Sequence, residues 1–331
     1  MTKGEIDINA DYECNRDFKE IIARSPYVFV LGVAGDSGSG KTTFTHAVRT
    51  VFGEDLVDSI SLDDYHRYNR SERAQIGLTP LDPGANDLTR LERDVAALKR
   101  GETIKKPVYN HNTGRFDQDT VFTSKKILIL EGLHPLYTPV LRELLDFSIF
   151  VDPVREVKYQ WKIKRDVIER GYNEKDVLME IERREPDFER FILPQKEYAD
   201  AIVSIRPSKY ETIPDVPASV YQIVLSQCRM SPPLSDIDLM IDLHSILALS
   251  DRNFLLEFIR HEQNGKRMGD LVIDGELSSH VVACLEQRIE DQTRVRPVRI
   301  FRDRDYVTAG EITQLILCWR IIHRRISREP C

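Results

Sequence analysis

The stretch YVFVLGVAG (27–35) is apolar at nearly every position, which predicts a central strand covered on both faces. A helix is expected at about 41–52, then the run DLVDSISL (55–62). The segment NRSERAQIGLTPLDPGAND (69–87) reads as loop. In DLTRLERDVAALKRG (87–101) apolar residues recur at three and four spacing and the stretch ends on Gly101, which suits a helix closed by a left-handed residue. A loop carrying KPVYNHNTG, the strand KKILILEG, a helix near TPVLRELL and the strand FSIFVD follow. Alternation of this kind predicts an α/β fold with a mainly parallel sheet flanked by helices.

Further on, residues 154–195 read as a long, highly charged helical pair, whose charges could be solvated faces. ADAIVSI (199–205) is a strand, and the proline-containing RPSKYETIPDVPA a junction. Beyond it YQIVLSQ, DIDLMIDL and VRIFRD are candidate strands. DRNFLLEFIRHEQ, SSHVVACLEQRIED and EITQLILCWRIIHRRI are candidate helices, the last opened by a Thr308/Glu311 capping box. Three parts are expected: a polar arm (1–25, helical from about 10 to 24), a main domain (26–210) and an α+β C-terminal region (211–331). That last region carries no chemical motif, and it could extend the same sheet, form a dimer surface or stand as a separate lobe.

Composition narrows the function classes. A chain of 331 residues buries a sizeable core, and 41% hydrophobic residues make disorder the wrong default. A formal net charge of -7 argues against a general nucleic-acid or membrane-surface binder, so local basic clusters need local explanations. The first residues lack a basic start followed by an apolar stretch, and no window approaches a membrane span; a soluble cytoplasmic protein is expected. Five scattered cysteines, without metal-site spacing, are read as reduced thiols.

The strongest chemical signal is GDSGSGKT. Gly35, Asp36, Ser37, Gly38, Ser39, Gly40, Lys41 and Thr42 satisfy GxxxxGK[ST] between a predicted buried strand and a predicted helix, and Thr43 continues the helix start. Glycines let backbone amides curl round phosphate oxygens, Lys41 reaches the β- and γ-phosphates, and the Thr42 hydroxyl can hold magnesium. The sheet is therefore expected to be of P-loop NTPase type. Glu131, ending KKILILEG, and Asp63 with Asp64, ending LVDSISLDD, place strand-end acids beside that loop, as a magnesium and general-base pair. Asp63, His66 and Arg70 lie at i, i+3 and i+7, one face of a helical turn, while Asp64 points elsewhere, to cap the turn or pair with an arginine.

Taken together, GDSGSGKTT, DDYHRYNR, LDPGAND, KPVYNHNTG, EGLHPLY, KRDVIERGY and RREPDFERFILPQKEYAD resemble the phosphoribulokinase and uridine kinase group of P-loop kinases, and within it phosphoribulokinase. The resemblance is colinear over about 27–205, with YNHxTG, EGLHP and PDFxxxIxPQKxYAD its discriminating pieces. It implies transfer of the ATP γ-phosphoryl group to the C1 hydroxyl of ribulose 5-phosphate, with magnesium as cofactor and a homodimer as assembly. By matching motif it implies Asp63 as general base and Asp166 as a second functional acid, beside the metal-side role of Asp63 and the catalytic role of Lys41 read from the residues themselves. His66, Arg70, Lys162, Arg165 and Arg170 fall on the sugar-phosphate side, Arg184 at ATP, and Tyr109, Asn110 and His111 around the acceptor.

A phosphorylated acceptor demands cations at two places, which accounts for local basic clusters in an acidic chain. Thiol-regulated relatives carry a cysteine in the P-loop where this chain has Ser39, so disulfide switching by that route is not expected. A uridine or other small-metabolite kinase is the second reading, and a nucleotide-binding protein without turnover the third. Intact Lys41, Thr42, Asp63 and Glu131 argue against the third.

Overall fold

The computed structural model describes residues 22–169, 171–210, 220–228, 252–263, 265–293, 301 and 304–326. In chain order the first elements are β1 (Phe29–Gly35), α1 (Lys41–Phe52), β2 (Val57–Ser61), α2 (Arg70–Gln75), α3 (Leu88–Lys99), β3 (Ile104–Asn110) and β4 (Arg115–Phe122). Then come β5 (Ile127–Gly132), α4 (Pro139–Leu144), β6 (Phe147–Pro153), α5 (Arg155–Ile163), α6 (Glu174–Asp187) and β7 (Ala201–Pro207). The last are β8 (Tyr221–Cys228), β9 (Phe254–Gln263), β10 (Lys266–Ser278), α7 (Ser279–Thr293), β11 (Tyr306–Thr308) and α8 (Ala309–Ile326).

β1 is buried at every position because it lies inside a sheet, between β6 and β5, that has nine strands among the described residues. The order is β11-β10-β8-β7-β6-β1-β5-β2, with β9 pairing β10 as well. From β2 to β7 all pairings are parallel. β8 then runs antiparallel to β7, and β10 antiparallel to β8, β9 and β11. Alternation along β1 divides the core: Phe29, Leu31 and Val33 join Phe44, Val48 and Phe52 of α1, together with Leu317 and Ile321 of α8. Val30 and Ala34 face the other side, with Leu91, Val95 and Leu98 of α3. Parallel strands present their C-terminal ends on one edge, so Gly35, Ser61 and Glu131 come out side by side.

Gly101 follows α3 with a left-handed φ of 79°, and Thr308 and Glu311 exchange backbone N–H bonds at the start of α8, as expected. Four expectations are corrected. The 69–87 segment is not all loop: Asn69 and Glu72 form a capping box that starts α2. KPVYNHNTG is not a loop but strand β3 and the turn of the β3–β4 hairpin. DRNFLLEFIRHEQ is not a helix: its apolar residues lie along β9, where pairing with β10 outweighs their helical spacing. Asp63 to Arg70 is not one helical turn, because a 3-10 turn over Leu62–Tyr65 ends at His66 and α2 begins anew at Arg70. Most of the expected N-terminal helix, DIDLMIDL and most of VRIFRD lie outside the described residues. Among the described residues no helix is long and apolar enough to cross a membrane.

Candidate active site

Between β1 and α1 the chain curls through a loop in which Gly38 and Gly40 adopt left-handed φ of 79° and 91°. A side chain at Gly40 would also press on the Trp161 ring of α5, whose nearest atom lies 3.1 Å from the Cβ position. Lys41 folds back over this loop and donates to the carbonyls of Gly35 (3.0 Å) and Asp36 (2.6 Å). Enclosure of its ammonium lowers the Lys41 pKa, opposed by Glu131, Asp36 and Asp63, so all three acids lie within electrostatic reach. The Thr42 hydroxyl donates to Glu131 Oε1 and the Thr45 hydroxyl to Glu131 Oε2, both at 2.7 Å. Thr43 is exposed and Ser39 fully buried.

A hydroxyl and a carboxylate in contact at the phosphate loop form a hard-oxygen donor set. This fits magnesium, which takes few protein ligands and completes its shell with water and phosphate oxygens.

On the other side of the site the 3-10 turn after β2 presents Asp63, half-buried, between two imidazoles. His66 Nε2 lies 3.8 Å from Oδ1 and His111 Nε2 3.6 Å from Oδ2. His66 is buried, and its Nδ1 is 2.7 Å from Asn86 Oδ1. The Asn86 amide nitrogen donates to the carbonyls of Pro80 (3.0 Å) and Asp82 (2.9 Å), which fixes the amide with its oxygen toward His66. Nδ1 therefore carries the proton and Nε2 is left facing Asp63. Burial lowers the His66 pKa; Asp63 opposes the shift, Arg73 adds to it, and the Asn86 bond opposes it. Behind it His134, buried, bonds the Leu81 carbonyl at 2.9 Å, and burial holds its pKa down to about 4.

The β3–β4 hairpin completes this side. Its turn passes so close to α2 that a Cβ on Gly114 (φ 69°) would stand 2.8 Å from that of Arg70. Arg70 donates its amide to Gly114 O and its guanidinium to His111 O. The Tyr109 ring stands edge-on to His66 and His111, with centroids 5.1 and 5.3 Å away, and its phenol accepts from Arg73 at 3.1 Å. Asn110 uses its side-chain oxygen to accept from the amides of Asn112 and Thr113, shaping the turn. Asp64 turns away from Asp63. It pairs with Lys106, not an arginine, and accepts from the Tyr109 amide at 2.8 Å, tying β3 to the turn.

Over the phosphate loop lies α5 with the π-helical turn that follows it. Arg165 donates to Ser37 Oγ at 3.3 Å and bidentately to the buried Asp166 at 2.8 and 3.1 Å. Lys162 is buried beside Gly38, with Asp36, Asp166, Arg165 and Arg184 all acting on it electrostatically. Burial first and Arg184 second bring its pKa down to about 8. Lys162 and Arg165, grouped with the sugar phosphate by sequence, thus stand against the phosphate loop. Arg184 is paired with Glu180 at 2.5 Å, and Arg170 lies outside the described residues.

Three residues at the site escaped the sequence reading. Arg73 is buried and bonds Tyr68 O and Tyr109, with no carboxylate in ion-pair range among the described residues. It lies one turn beyond Arg70, a spacing visible only once α2 is recognised as a helix. Asn86 sits in the quoted LDPGAND. Lys158 precedes Lys162 and Arg165 at helical spacing on α5.

Fold and site together define the class of P-loop nucleotide-binding α/β proteins, with a second cluster of side chains around Asp63 and Tyr109 that includes Arg70 and Arg73. The model of the Phosphoribulokinase / Uridine kinase family matches residues 30–210, and the chain belongs to that family. It is 45% identical to a phosphoribulokinase from Synechocystis sp. over 182 residues, 55% of this chain and 55% of that protein. It is 36% identical to a uridine kinase from Shewanella halifaxensis, covering 53% of this chain and 86% of the relative. The chain thus spans about half the length of the curated phosphoribulokinase it matches. The structure of phosphoribulokinase from Rhodobacter spheroides superposes with a TM-score of 0.53 at 18% identity, covering 91% of this chain and 99% of that one, a likeness of fold.

Proposed function

We propose that the protein transfers the γ-phosphoryl group of ATP to the C1 hydroxyl of ribulose 5-phosphate, giving ribulose 1,5-bisphosphate and ADP. The observation that carries this reading is the side-chain cluster beside Asp63. There a buried arginine, Arg73, which has no carboxylate in ion-pair range among the described residues, donates to the Tyr109 phenol, whose ring stands edge-on to His66 and His111, and Arg70 lies one turn before it on α2. Buried cations are normally paired, so this one awaits an anion supplied by the acceptor. A neutral nucleoside would leave it unpaired. The Synechocystis relative bearing the name phosphoribulokinase supports the same choice.

In this reading the loop amides of Gly35 to Thr42, with Lys41, Arg165 and Arg184, hold the triphosphate. Asp63 takes the proton from the C1 hydroxyl as its oxygen bonds the γ-phosphorus and the bridge to ADP breaks. His66 and Tyr109 orient the sugar, and Arg70 and Arg73 hold its own phosphate. Asp166 positions Arg165. Thr42, Glu131 and Asp63 are the residues that would hold magnesium, which when bound neutralises charge on the β- and γ-phosphate oxygens. A homodimer, which rests on the family resemblance, and a cytoplasmic setting, expected from the sequence, belong to the same proposal.

The test is ATP consumption with ribulose 5-phosphate and uridine as competing acceptors. Turnover on the sugar phosphate is expected. Turnover on uridine alone would transfer the reading to the uridine kinase branch, and none on either would leave a nucleotide-binding protein without catalysis.

A further inference from the structure

A buried carboxylate needs hydrogen bonds and a counter-charge. Asp36, the second residue of the phosphate loop, is 8% exposed, and its two oxygens are spoken for. Oδ1 accepts from the Ser37 amide at 2.6 Å, and Oδ2 meets Lys158 Nζ at 3.0 Å. Lys158 is itself 5% exposed. Its ammonium also lies 3.8 Å from Glu185 Oε2 in the last turn of α6 and 4.1 Å from the centre of the Phe188 ring. One cation thus stands between the acid of the phosphate loop and an acid beside Arg184.

The backbone of Asp36 has a second task, since its carbonyl is the nearer of the two that hold the Lys41 ammonium. Fixing the Asp36 side chain therefore sets both the direction of the Ser37 amide and the seat of Lys41. We propose that Lys158 is a positioning residue that keeps the phosphate loop in its anion-binding form through Asp36 and ties that loop to α6 through Glu185 and Phe188. Its own ammonium is enclosed by these partners and does not touch the nucleotide. This inference rests on the reading of the site as an ATP site, not on the identity of the acceptor. Loss of the ammonium takes from the buried Asp36 carboxylate the cation in direct contact with it, leaving the longer-range charges of Lys41 and Lys162, a penalty that movement of the loop relieves.

The experiment is calorimetric titration of magnesium ATP into the full-length chain, as wild type, Lys158→Met, Lys158→Arg and the double variant Asp36→Asn/Lys158→Met. The KM for ribulose 5-phosphate is measured on the same samples. Lys158→Met is expected to weaken ATP binding on the order of tenfold while the sugar-phosphate KM changes little. Lys158→Arg is expected to restore most of the affinity. The double variant, which removes both charges but keeps an oxygen for the Ser37 amide, is expected to bind ATP better than Lys158→Met and serves as the reading if that variant does not fold. Wild-type ATP affinity in Lys158→Met, an equal rise in both substrates' constants, or a double variant that binds no better than a folded Lys158→Met would overturn the proposal. A wild type that binds ATP but phosphorylates neither acceptor would sink the kinase reading, while the ATP affinities alone would still decide the role of Lys158.

Discussion

In the proposed reading the core of the donor side is one contiguous stretch, Gly35 to Thr42, joined by Glu131 at the end of the neighbouring strand and by Lys162 and Arg165 laid over the loop. The acceptor side is gathered from four places: Asp63 and His66 after β2, Arg70 and Arg73 on α2, Asn86 before α3, and Tyr109 with His111 on the hairpin. Phosphate binding needs backbone amides and a helix start, which a short local sequence can specify. A pocket for one particular acceptor needs side chains aimed at one point from several directions, which tertiary packing must supply. In the proposed reading the phosphate loop serves nucleotide binding and the gathered side chains serve substrate choice, so each side should fail in its own way when altered.

Asp63→Asn should produce the largest effect, because it removes the proposed proton acceptor between the two sides. A fall in kcat of about 100- to 10,000-fold is expected with ATP binding retained. Steady-state rates together with nucleotide calorimetry check it, and substantial residual turnover would remove Asp63 as base. Asp64→Ala should follow, acting on the acceptor side by assembly rather than chemistry. It leaves Lys106 and the Tyr109 amide without their shared partner. A stability loss of about 3 kcal/mol is expected by denaturant unfolding, accompanied by a raised sugar-phosphate KM.

Arg73→Ala should raise the sugar-phosphate KM about tenfold or more and leave the ATP constant alone, as loss of a charge-assisted bond requires. Arg70→Ala should do the same to a smaller degree, since the Arg70 guanidinium is exposed and already engaged by His111 O. An ATP-side effect from either arginine would break the division between the two halves.

The smallest effect concerns pH. Lys162 titrates near 8 in the folded chain, below its ordinary value of 10.5. A folded state that holds the proton less tightly than the unfolded one carries the full penalty below about 8. Stability from this residue therefore climbs as pH rises from about 8 toward 10.5. Around pH 8 folded Lys162 loses its charge, and ATP binding is expected to weaken a few-fold between about pH 7 and pH 9. Lys162→Met should flatten that part of the calorimetric pH profile.

This contrast also explains what could be read in advance. The parallel half of the sheet was legible because β1, β5 and β6 are buried on both faces and appear as unbroken apolar runs. The phosphate loop was legible because its glycines and Lys41 are contiguous. Asp63 could be preferred over Asp64 by spacing, although the spacing argument assumed one helical turn where the chain makes a 3-10 turn, a break and a new helix. Arg73 was hidden because α2 is only a few residues long and starts from a capping box inside a segment rich in loop formers. The hairpin was hidden because the outer strand β4 is exposed along almost its whole length and shows no alternation. Lys158 and Asn86 act through partners far away in sequence, Asp36 and His66, and no local pattern marks such pairs. In the C-terminal part, β9 carries its apolar residues at a spacing that also suits a helix, and only its pairing with β10 decides.

If the side chains gathered around Asp63 serve an acceptor that already carries a phosphate, kcat/KM for ribulose 5-phosphate against unphosphorylated ribulose, in wild type and in Arg73→Ala, will show it. A wild-type preference on the order of 10,000-fold for the phosphorylated sugar, narrowed by Arg73→Ala, is the expected result, because an acceptor lacking the phosphate leaves buried donors unpaired. Comparable efficiency on the two sugars, or a preference that survives loss of Arg73 unchanged, would contradict it.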